Sequence, residues 1–195
     1  MKLSLKSFSI NVFSQGVVQA LIALRALIIL PILTKTLGDY YYGVWSQLIV
    51  TITLLASVLT LRFDIVFVRF FSAENDRQTL GKAYHSMLSA MFICLVLVGG
   101  LFWTFTEDIS FFIFKDAGLR SYILILFALL AIRAVFLFSL SYYRSRQKLV
   151  LYSGIQGLQI AGEILILFLF IVKSGLTLLD TVKILMVFNL SLIHI

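Results

Sequence analysis

Six apolar runs, each close to 20 residues long, restrict this 195-residue chain to a small set of folds. The runs cover residues 11–33, 44–67, 83–105, 121–140, 149–172 and 178–195. An α-helix rises 1.5 Å per residue, so about 20 residues cross the roughly 30 Å hydrocarbon core of a bilayer. The polar loops between the runs, roughly 5 to 17 residues long, leave no room for a soluble domain. The pattern predicts an all-α integral membrane protein whose six transmembrane helices form one lobe.

The composition excludes several other classes. Hydrophobic residues make up 61% of the chain and charged residues 13%, whereas soluble domains are about 45–50% apolar. The net charge of +7 comes without a basic patch interleaved with aromatic residues, so we expect loops that face anionic lipid and not a nucleic acid partner. Cys94 is the only cysteine, and His85 and His194 lack companions at metal-ligand spacing. We therefore expect no metal, no cofactor and no catalytic residues, and a protein that is not an enzyme.

The distribution of lysine and arginine predicts the orientation. With a cytoplasmic N-terminus, eight basic residues fall inside: Lys2, Lys6, Arg69, Arg77, Lys82, Arg144, Arg146 and Lys148. Four fall outside, namely Lys35, Lys115, Arg120 and Lys173, while Lys183 is ambiguous. The positive-inside rule thus favours a cytoplasmic N-terminus. A cleaved signal peptide is disfavoured because the first run is too long and five more follow.

The first run carries a polar face. Asn11, Ser14, Gln15, Gln19 and Arg25 fall within an arc of about 140° on a helical wheel. An arginine as deep as Arg25 costs about 2.5 kcal/mol or more unless it meets a polar cavity or a partner. Arg25 is therefore interpreted as an anion-binding residue, with a structural arginine satisfied by neighbouring helix ends as the alternative.

The second and fourth runs add further embedded charges. Thr53, Ser57, Thr60 and Asp64 form a continuous helical stripe in the second run. Arg62 points elsewhere, and either snorkels to the interface or contacts substrate. Asp64 either serves in coupling or pairs with Arg69. In the fourth run Arg133 lies too deep to snorkel, so it is expected to face the interior.

The fifth run is the most patterned. Tyr152, Gln156, Gln159 and Glu163 form one stripe, and the small residues Gly154, Gly157 and Ala161 lie opposite. Since small residues permit close helix packing, the polar stripe is expected to face a cavity. Glu163 would hold Arg25 or Arg133, carry a proton during transport, or remain a buried hydrogen-bonded carboxylate.

Together these stripes predict a water-filled cavity with a cationic lining, suited to an amphipathic anion such as a lipid with a phosphorylated headgroup. The arginine fork matches phosphate geometry. The candidate substrate-binding residues are Arg25, Arg133, Gln15, Gln19, Gln156 and Gln159. The candidates for coupling or ion pairing are Glu163, Asp64 and Arg62.

Three stretches resemble a known family. They are RALIILPILTKTLGDYYYGVWSQ from Arg25, LRFDIVFVRFFSAEN from Leu61, and the basic loop YYRSRQK from Tyr142. They resemble the polysaccharide-biosynthesis flippases of the O-antigen type, in the superfamily of the multidrug and toxin extrusion transporters. The resemblance spans essentially the whole chain, and none of its motifs is catalytic.

That resemblance implies a bacterial inner-membrane protein of about 12 to 14 helices in two lobes, working by alternating access. It implies a substrate, undecaprenyl-pyrophosphate-linked glycan, and places Arg25 and Arg133 by position at the pyrophosphate or acidic sugars. A polysaccharide polymerase and the chain-length machinery are candidate protein partners. We expect the chain to be the N-terminal lobe of a longer gene product, with the second lobe missing.

Two alternatives stay open at this point. A cation-coupled multidrug exporter of the same superfamily would have a cavity lined by carboxylates instead of arginines. A membrane glycan polymerase or glycosyltransferase would carry a larger outer loop than residues 106–120 provide. A purely structural membrane subunit would leave the embedded arginines unexplained.

Overall fold

The computed structural model describes residues 5–169 and 177–193, and within these ranges every regular element is helical. The elements are α1 (Leu5–Leu59), α2 (Phe63–Phe71), α3 (Arg77–Thr104), α4 (Thr106–Phe114), a 3-10 turn (Ala117–Leu119), α5 (Arg120–Ser145), α6 (Leu149–Leu167) and α7 (Leu178–Ile193). The predicted all-α fold is therefore confirmed.

Helix α1 is divided by Gly38, whose φ of 80° and ψ of 171° lie in a region open essentially to glycine alone. The division gives a first arm, Ser9–Thr36, and a second arm, Gly38–Leu59. Pro31 lies inside the first arm without interrupting it. Ile29 and Leu33 of the first arm share a core cluster with Trp45 and Leu48 of the second, so the two arms lie side by side.

Within the described residues, five helical segments are long and apolar enough to cross a membrane: Ser9–Thr36, Gly38–Leu59, Arg77–Thr104, Ala117–Ser145 and Leu149–Leu167. This is a multi-pass membrane protein. The predicted count of six is not confirmed, because the 16 residues of α7 fall short of the roughly 20 needed to span the bilayer. The predicted ends of the fifth and sixth runs, residues 170–172 and 194–195, lie outside the described residues.

The prediction that residues 44–67 form one continuous helix is wrong. The helix ends at Leu59, and Leu61 and Arg62 adopt left-handed conformations with φ of 49° and 56° before α2 begins. The predicted stripe from Thr53 to Asp64 is therefore broken after Thr60. The turn redirects α2 so that Phe67 is fully buried within an aromatic cluster. The rings around it belong to Phe71, Tyr84, Phe138 and Tyr142.

Helix α5 is the centre of the bundle, because it contacts every other α-helix of the described chain. Its residues Ile123 and Leu126 join one core cluster, Leu130 and Phe138 a second, and Phe136 a third. A residue on the interior face of α5 therefore reaches side chains from several helices at once. Arg133 lies on this helix.

The apolar residues left exposed are numerous and large, as a lipid-facing surface requires. Leu27, Phe92, Leu97, Trp103 and Phe112 are each more than 60% exposed. Contiguous apolar surface on this scale is rare in soluble monomers. The bundle is thus apolar outside as well as inside, and its polar side chains gather in a few places.

Candidate functional site

The polar residues of four helices meet in one small cavity within the bundle, which we call the interior pocket. Its polar lining is Arg25 and Thr53 of α1, Arg133 of α5, Gln159 and Glu163 of α6, and Asn189 of α7. Its volume is about 100 Å³, and apolar side chains such as Trp45 and Leu48 complete its wall. The pocket brings together five residues that the sequence analysis had singled out: Arg25, Thr53, Arg133, Gln159 and Glu163.

Arg25 and Glu163 form an ion pair across the interface of α1 and α6. Arg25 Nη1 lies 3.0 Å from Glu163 Oε2, and the two side chains are only 25% and 10% exposed. Among the described residues this carboxylate oxygen accepts no well-aligned hydrogen bond, so charge and not hydrogen-bond geometry holds the contact. A charge pair in apolar surroundings is strongly coupled, and removing one partner leaves the other uncompensated.

Gln159 extends the ion pair to α7. Its Nε2 donates to Glu163 Oε1 at 3.1 Å and to Asn189 Oδ1 at 2.8 Å. Asn189 in turn donates from Nδ2 to the carbonyl oxygen of Leu185 at 2.9 Å. The contacts from Arg25 to Asn189 therefore link α1, α6 and α7 through one polar chain.

Asn189 was missed from the sequence. A signal was present, because Asn189 is the only amide in the apolar run from Ile184 to Ile193, and a polar residue in such a run usually faces the bundle interior. The sequence does not say which helix it would meet.

Arg133 differs from Arg25 in having no carboxylate within 4 Å among the described residues, so Glu163 acts on its charge only from a greater distance. Its guanidinium carbon lies 5.9 Å from the centre of the Phe136 ring, a cation–π contact. Within the described part of the chain Arg133 makes neither an ion pair nor a hydrogen bond. The described lining of the interior pocket thus holds two guanidinium groups and one carboxylate, which leaves an excess of one positive charge.

A groove between the two arms of α1 adjoins this pocket, and we call it the arm groove. It has a volume of about 310 Å³ and a mostly apolar lining that includes Ile22, Ile29 and Val50. Arg25 and Trp45 line both the arm groove and the interior pocket. Arg25 therefore lies where the mostly apolar arm groove meets the polar residues of the interior pocket.

The other predicted binding residues lie apart from the interior pocket. Gln15 donates from Nε2 to Ser153 Oγ at 2.6 Å, which ties α1 to the start of α6. Gln19 is exposed, and Gln156 is half-buried. Neither amide makes a side-chain hydrogen bond to a described residue. Gln15, Gln19 and Gln156 thus remain predictions without a shared site.

Arg62 and Asp64 lie at the left-handed turn before α2. Arg62 is exposed and occupies the N-cap position of α2 without a side-chain capping hydrogen bond, and Asp64 lies in the first turn of α2. Asp64 Oδ1 is buried and has no hydrogen-bond partner among the described residues. The predicted pairing with Arg69 is absent there too, since Arg69 lies over the Phe70 ring at 5.7 Å.

The predicted packing role of the small residues of α6 holds at one position only. Gly157 faces Val18 and Leu21 of α1, whereas Gly154 and Ala161 are exposed. Gly162, which was not singled out, lies against the Phe188 ring of α7. The polar stripe at Gln159 and Glu163 therefore lies between α1 and α7.

Within the described residues, no three His, Cys, Asp or Glu side chains group closely enough to hold a metal ion. No family model, curated protein or solved structure matches this chain.

Proposed function

We propose that this chain is one lobe of a flippase that moves a lipid-linked oligosaccharide across the bacterial inner membrane. The substrate of this proposal is a glycan joined by pyrophosphate to undecaprenol, as the resemblance to the O-antigen flippases implies. The lobe works opposite a second lobe by alternating access, with its N-terminus in the cytoplasm.

The observation that carries the proposal is Arg133 without a carboxylate. A guanidinium group in apolar surroundings needs a counter-charge, and the one carboxylate among the described lining residues of the interior pocket already pairs with Arg25. A pyrophosphate supplies that counter-charge, because its oxygens match the guanidinium fork. An anionic ligand therefore satisfies a charge that the described residues leave unbalanced.

The arm groove supports the lipid part of the proposal. The undecaprenyl chain lies along its apolar lining, and the pyrophosphate reaches Arg25 at the junction with the interior pocket. The interior pocket alone is smaller than the roughly 300–1,000 Å³ of ordinary ligand pockets. It accordingly forms one wall of a larger cavity that opens between the lobes during transport.

The charge balance disfavours a multidrug exporter for cationic drugs. Such a protein attracts its substrate with carboxylates, whereas the interior pocket has an excess of guanidinium groups. Asp64, with its buried and unpartnered oxygen, is the feature most compatible with cation coupling, but it lies at the turn before α2 and not in the pocket lining.

The test measures binding of undecaprenyl pyrophosphate to the purified chain. Arg133→Gln should weaken binding by roughly tenfold or more, as expected for the loss of charge-assisted hydrogen bonds. The affinity of Arg133→Lys should lie between those of the wild type and Arg133→Gln, because lysine keeps the positive charge but lacks the two-pronged guanidinium group. Arg62→Gln is the matched control and should bind like the wild type, since Arg62 is exposed and outside the pocket.

Undecaprenol and tetraphenylphosphonium serve as reference ligands. Undecaprenol, which lacks the pyrophosphate, should bind weakly and should not distinguish Arg133→Gln from the wild type. Equal undecaprenyl pyrophosphate binding by the wild type and Arg133→Gln would contradict the proposal. Tight binding of the tetraphenylphosphonium cation would instead favour the multidrug exporter.

A further inference from the structure

A second and larger cavity lies at the end of the bundle where α3 begins and where the 145–149 loop joins α5 to α6. It has a volume of about 760 Å³ and is bounded by the first turns of α3 and α6 and the last turns of α5 and α7. We call it the basic cleft. It shares no residue with the interior pocket or the arm groove.

The cationic side chains of the basic cleft are Arg77, Arg146 and Lys148. Arg146 is positioned by a hydrogen bond from Nη1 to the carbonyl oxygen of Glu74 at 2.7 Å, which leaves its other donors available. No carboxylate of the described chain lines the cleft. The cleft is therefore a concave surface of one charge sign.

The two acidic side chains that directly precede Arg77 in the sequence, Glu74 and Asp76, are engaged elsewhere. Glu74 Oε1 accepts a hydrogen bond from the backbone N–H of Asp76, at 2.8 Å. Asp76 caps α3, accepting from the backbone N–H groups of Gln78 and Thr79. Neither carboxylate is a cleft-lining partner for the three cations, so these remain free to bind an external anion.

Helix α6 begins beside the same cleft, directly after the lining residue Lys148. Its N-cap residue, Lys148, makes no side-chain capping hydrogen bond, in contrast to Asp76 at α3. The first N–H groups of α6 thus lack a side-chain acceptor, and an uncapped helix N-terminus favours an anion. Lys148 places a positive charge at the same point.

The rest of the lining is amphipathic. Tyr84, Tyr142 and Tyr143 contribute three aromatic rings, and Tyr84 is also hydrogen-bonded through its hydroxyl to Ser139. Apolar side chains continue the wall along the bundle: Phe136, Leu140, Ile155, Leu192 and Ile193. A free phosphate ion would use only the charged part of this lining. A phospholipid uses both parts, with its headgroup among the cations and its acyl chains on the apolar wall.

We propose that the basic cleft binds the phosphodiester headgroup of an anionic membrane lipid, with phosphatidylglycerol as the reference ligand. The cleft lies at the end of the membrane helices, the depth at which headgroups are found. Basic pockets between membrane helices bind anionic headgroups in this way. The site is independent of the interior pocket, and the proposal does not depend on the transported substrate.

The test compares phosphatidylglycerol and phosphatidylcholine, added at equal concentration to the purified chain, by native mass spectrometry. The wild type should retain phosphatidylglycerol preferentially. Replacing Arg77, Arg146 and Lys148 together by glutamine should reduce that preference roughly tenfold or more, because each basic side chain contributes to headgroup binding. The control replaces Arg69, Lys82 and Arg144 by glutamine, which removes the same charge from the same end without touching the cleft lining, and should change the preference less than about twofold.

Gly81→Phe gives a second test that leaves every charge in place. Gly81 lines the cleft, and a Cβ added there meets no atom within 4 Å, so a side chain at this position would extend into the open space of the cleft. This variant should lose phosphatidylglycerol like the triple variant does. Gly100→Phe, at an equally open position towards the other end of α3, should not.

Three results would overturn the proposal. One is an equal loss of preference in both triple variants, which would reflect surface charge in general. Another is undiminished phosphatidylglycerol binding by Gly81→Phe, which would place the lipid outside the cleft. The third is displacement by glycerol 3-phosphate at concentrations equal to the lipid, which would identify a soluble phosphate as the ligand.

Discussion

The interior pocket and the basic cleft both rest on arginine, but in different surroundings. In the interior pocket Arg25 pairs with Glu163 at 3.0 Å, and Gln159 continues the polar chain to α7. In the basic cleft Arg146 donates to a backbone carbonyl, and the described lining contains no carboxylate. The first site is small and enclosed by apolar side chains, whereas the second is about 760 Å³ and open at the bundle end.

This difference predicts how substitution of each charged residue affects stability and ligand binding. Interactions between charges are strong at low effective dielectric constant and weak near water. Charges of the interior pocket should therefore determine stability as well as binding. Charges of the basic cleft should determine binding almost alone.

The largest expected effect is that of Glu163→Ala. The substitution leaves Arg25 without its counter-charge, and breaking a buried pair in this way lowers the free energy of unfolding by about 3–5 kcal/mol. Unfolding in sodium dodecyl sulfate, followed by circular dichroism, measures the change. Arg146→Met in the basic cleft should cost less than about 1 kcal/mol in the same assay.

The double variant Arg25→Met with Glu163→Met separates charge from packing. It removes both members of the pair and should recover most of the stability lost in Glu163→Ala, because no unpaired charge remains. If the double variant is as unstable as Glu163→Ala, the two side chains stabilise the fold through their packing and not through their charges.

A smaller effect is expected from Gln159→Leu. This change removes one hydrogen bond within α6, to Glu163, and one between helices, to Asn189 of α7. Interhelical hydrogen bonds in membranes are worth about 0.6 kcal/mol on average. The free energy of unfolding should fall by about 1–2 kcal/mol. Gln156→Leu is the matched control on the same helix and should change it little. Equal effects of Gln159→Leu and Gln156→Leu would show that the polar chain from Arg25 to Asn189 does not stabilise the fold.

A smaller difference between the two sites is expected in their dependence on salt concentration. Raising the ionic strength from about 0.05 to 0.5 M shortens the screening length several-fold, so the preference of the basic cleft for phosphatidylglycerol should drop several-fold. The stability difference between the wild type and Glu163→Ala should stay nearly constant, because the interior pair is shielded from ions. Native mass spectrometry and detergent unfolding, each repeated at both salt concentrations, measure the two responses. A salt-insensitive lipid preference would contradict an electrostatic cleft.

Part of this arrangement could be predicted from residue spacing. Runs of about 20 apolar residues predict membrane helices, and this prediction is confirmed. Gln159 and Glu163, four residues apart, had to share a helix face, and Arg25 had to avoid lipid. These rules bring the side chains to the interior, but they do not choose between Arg25 and Arg133 as the partner of Glu163.

The break before α2 could not be predicted in the same way. Neither Leu61 nor Arg62 is a residue that favours the left-handed region, which costs about 1–2 kcal/mol per residue. The compensation is the burial of Phe67 among rings from α3 and α5, far away in sequence. The basic cleft also depends on contacts between distant parts of the chain, since Arg77 lies at the start of α3 and Arg146 and Lys148 lie in the loop between α5 and α6.

The smallest expected effect concerns Asp76, at the edge of the basic cleft. Its pKa lies below the ordinary value of 3.8 because its carboxylate accepts hydrogen bonds from the Thr79 hydroxyl and from the backbone N–H groups of Thr79 and Gln78. A lowered pKa means that the ionised form stabilises the folded state above pH 3.8, and that this contribution is lost as the pH falls through the folded-state pKa. Asp76→Ala should therefore lower the melting midpoint slightly and evenly at neutral pH, and the difference from the wild type should shrink below about pH 4. Asp76→Asn keeps the cap without the titration, so its midpoint should stay close to the wild type at neutral pH. If the difference between the wild type and Asp76→Ala grows on acidification, the ionised carboxylate is not the stabilising form. Asp76 would then have to be counted among the charges that act on the basic cleft.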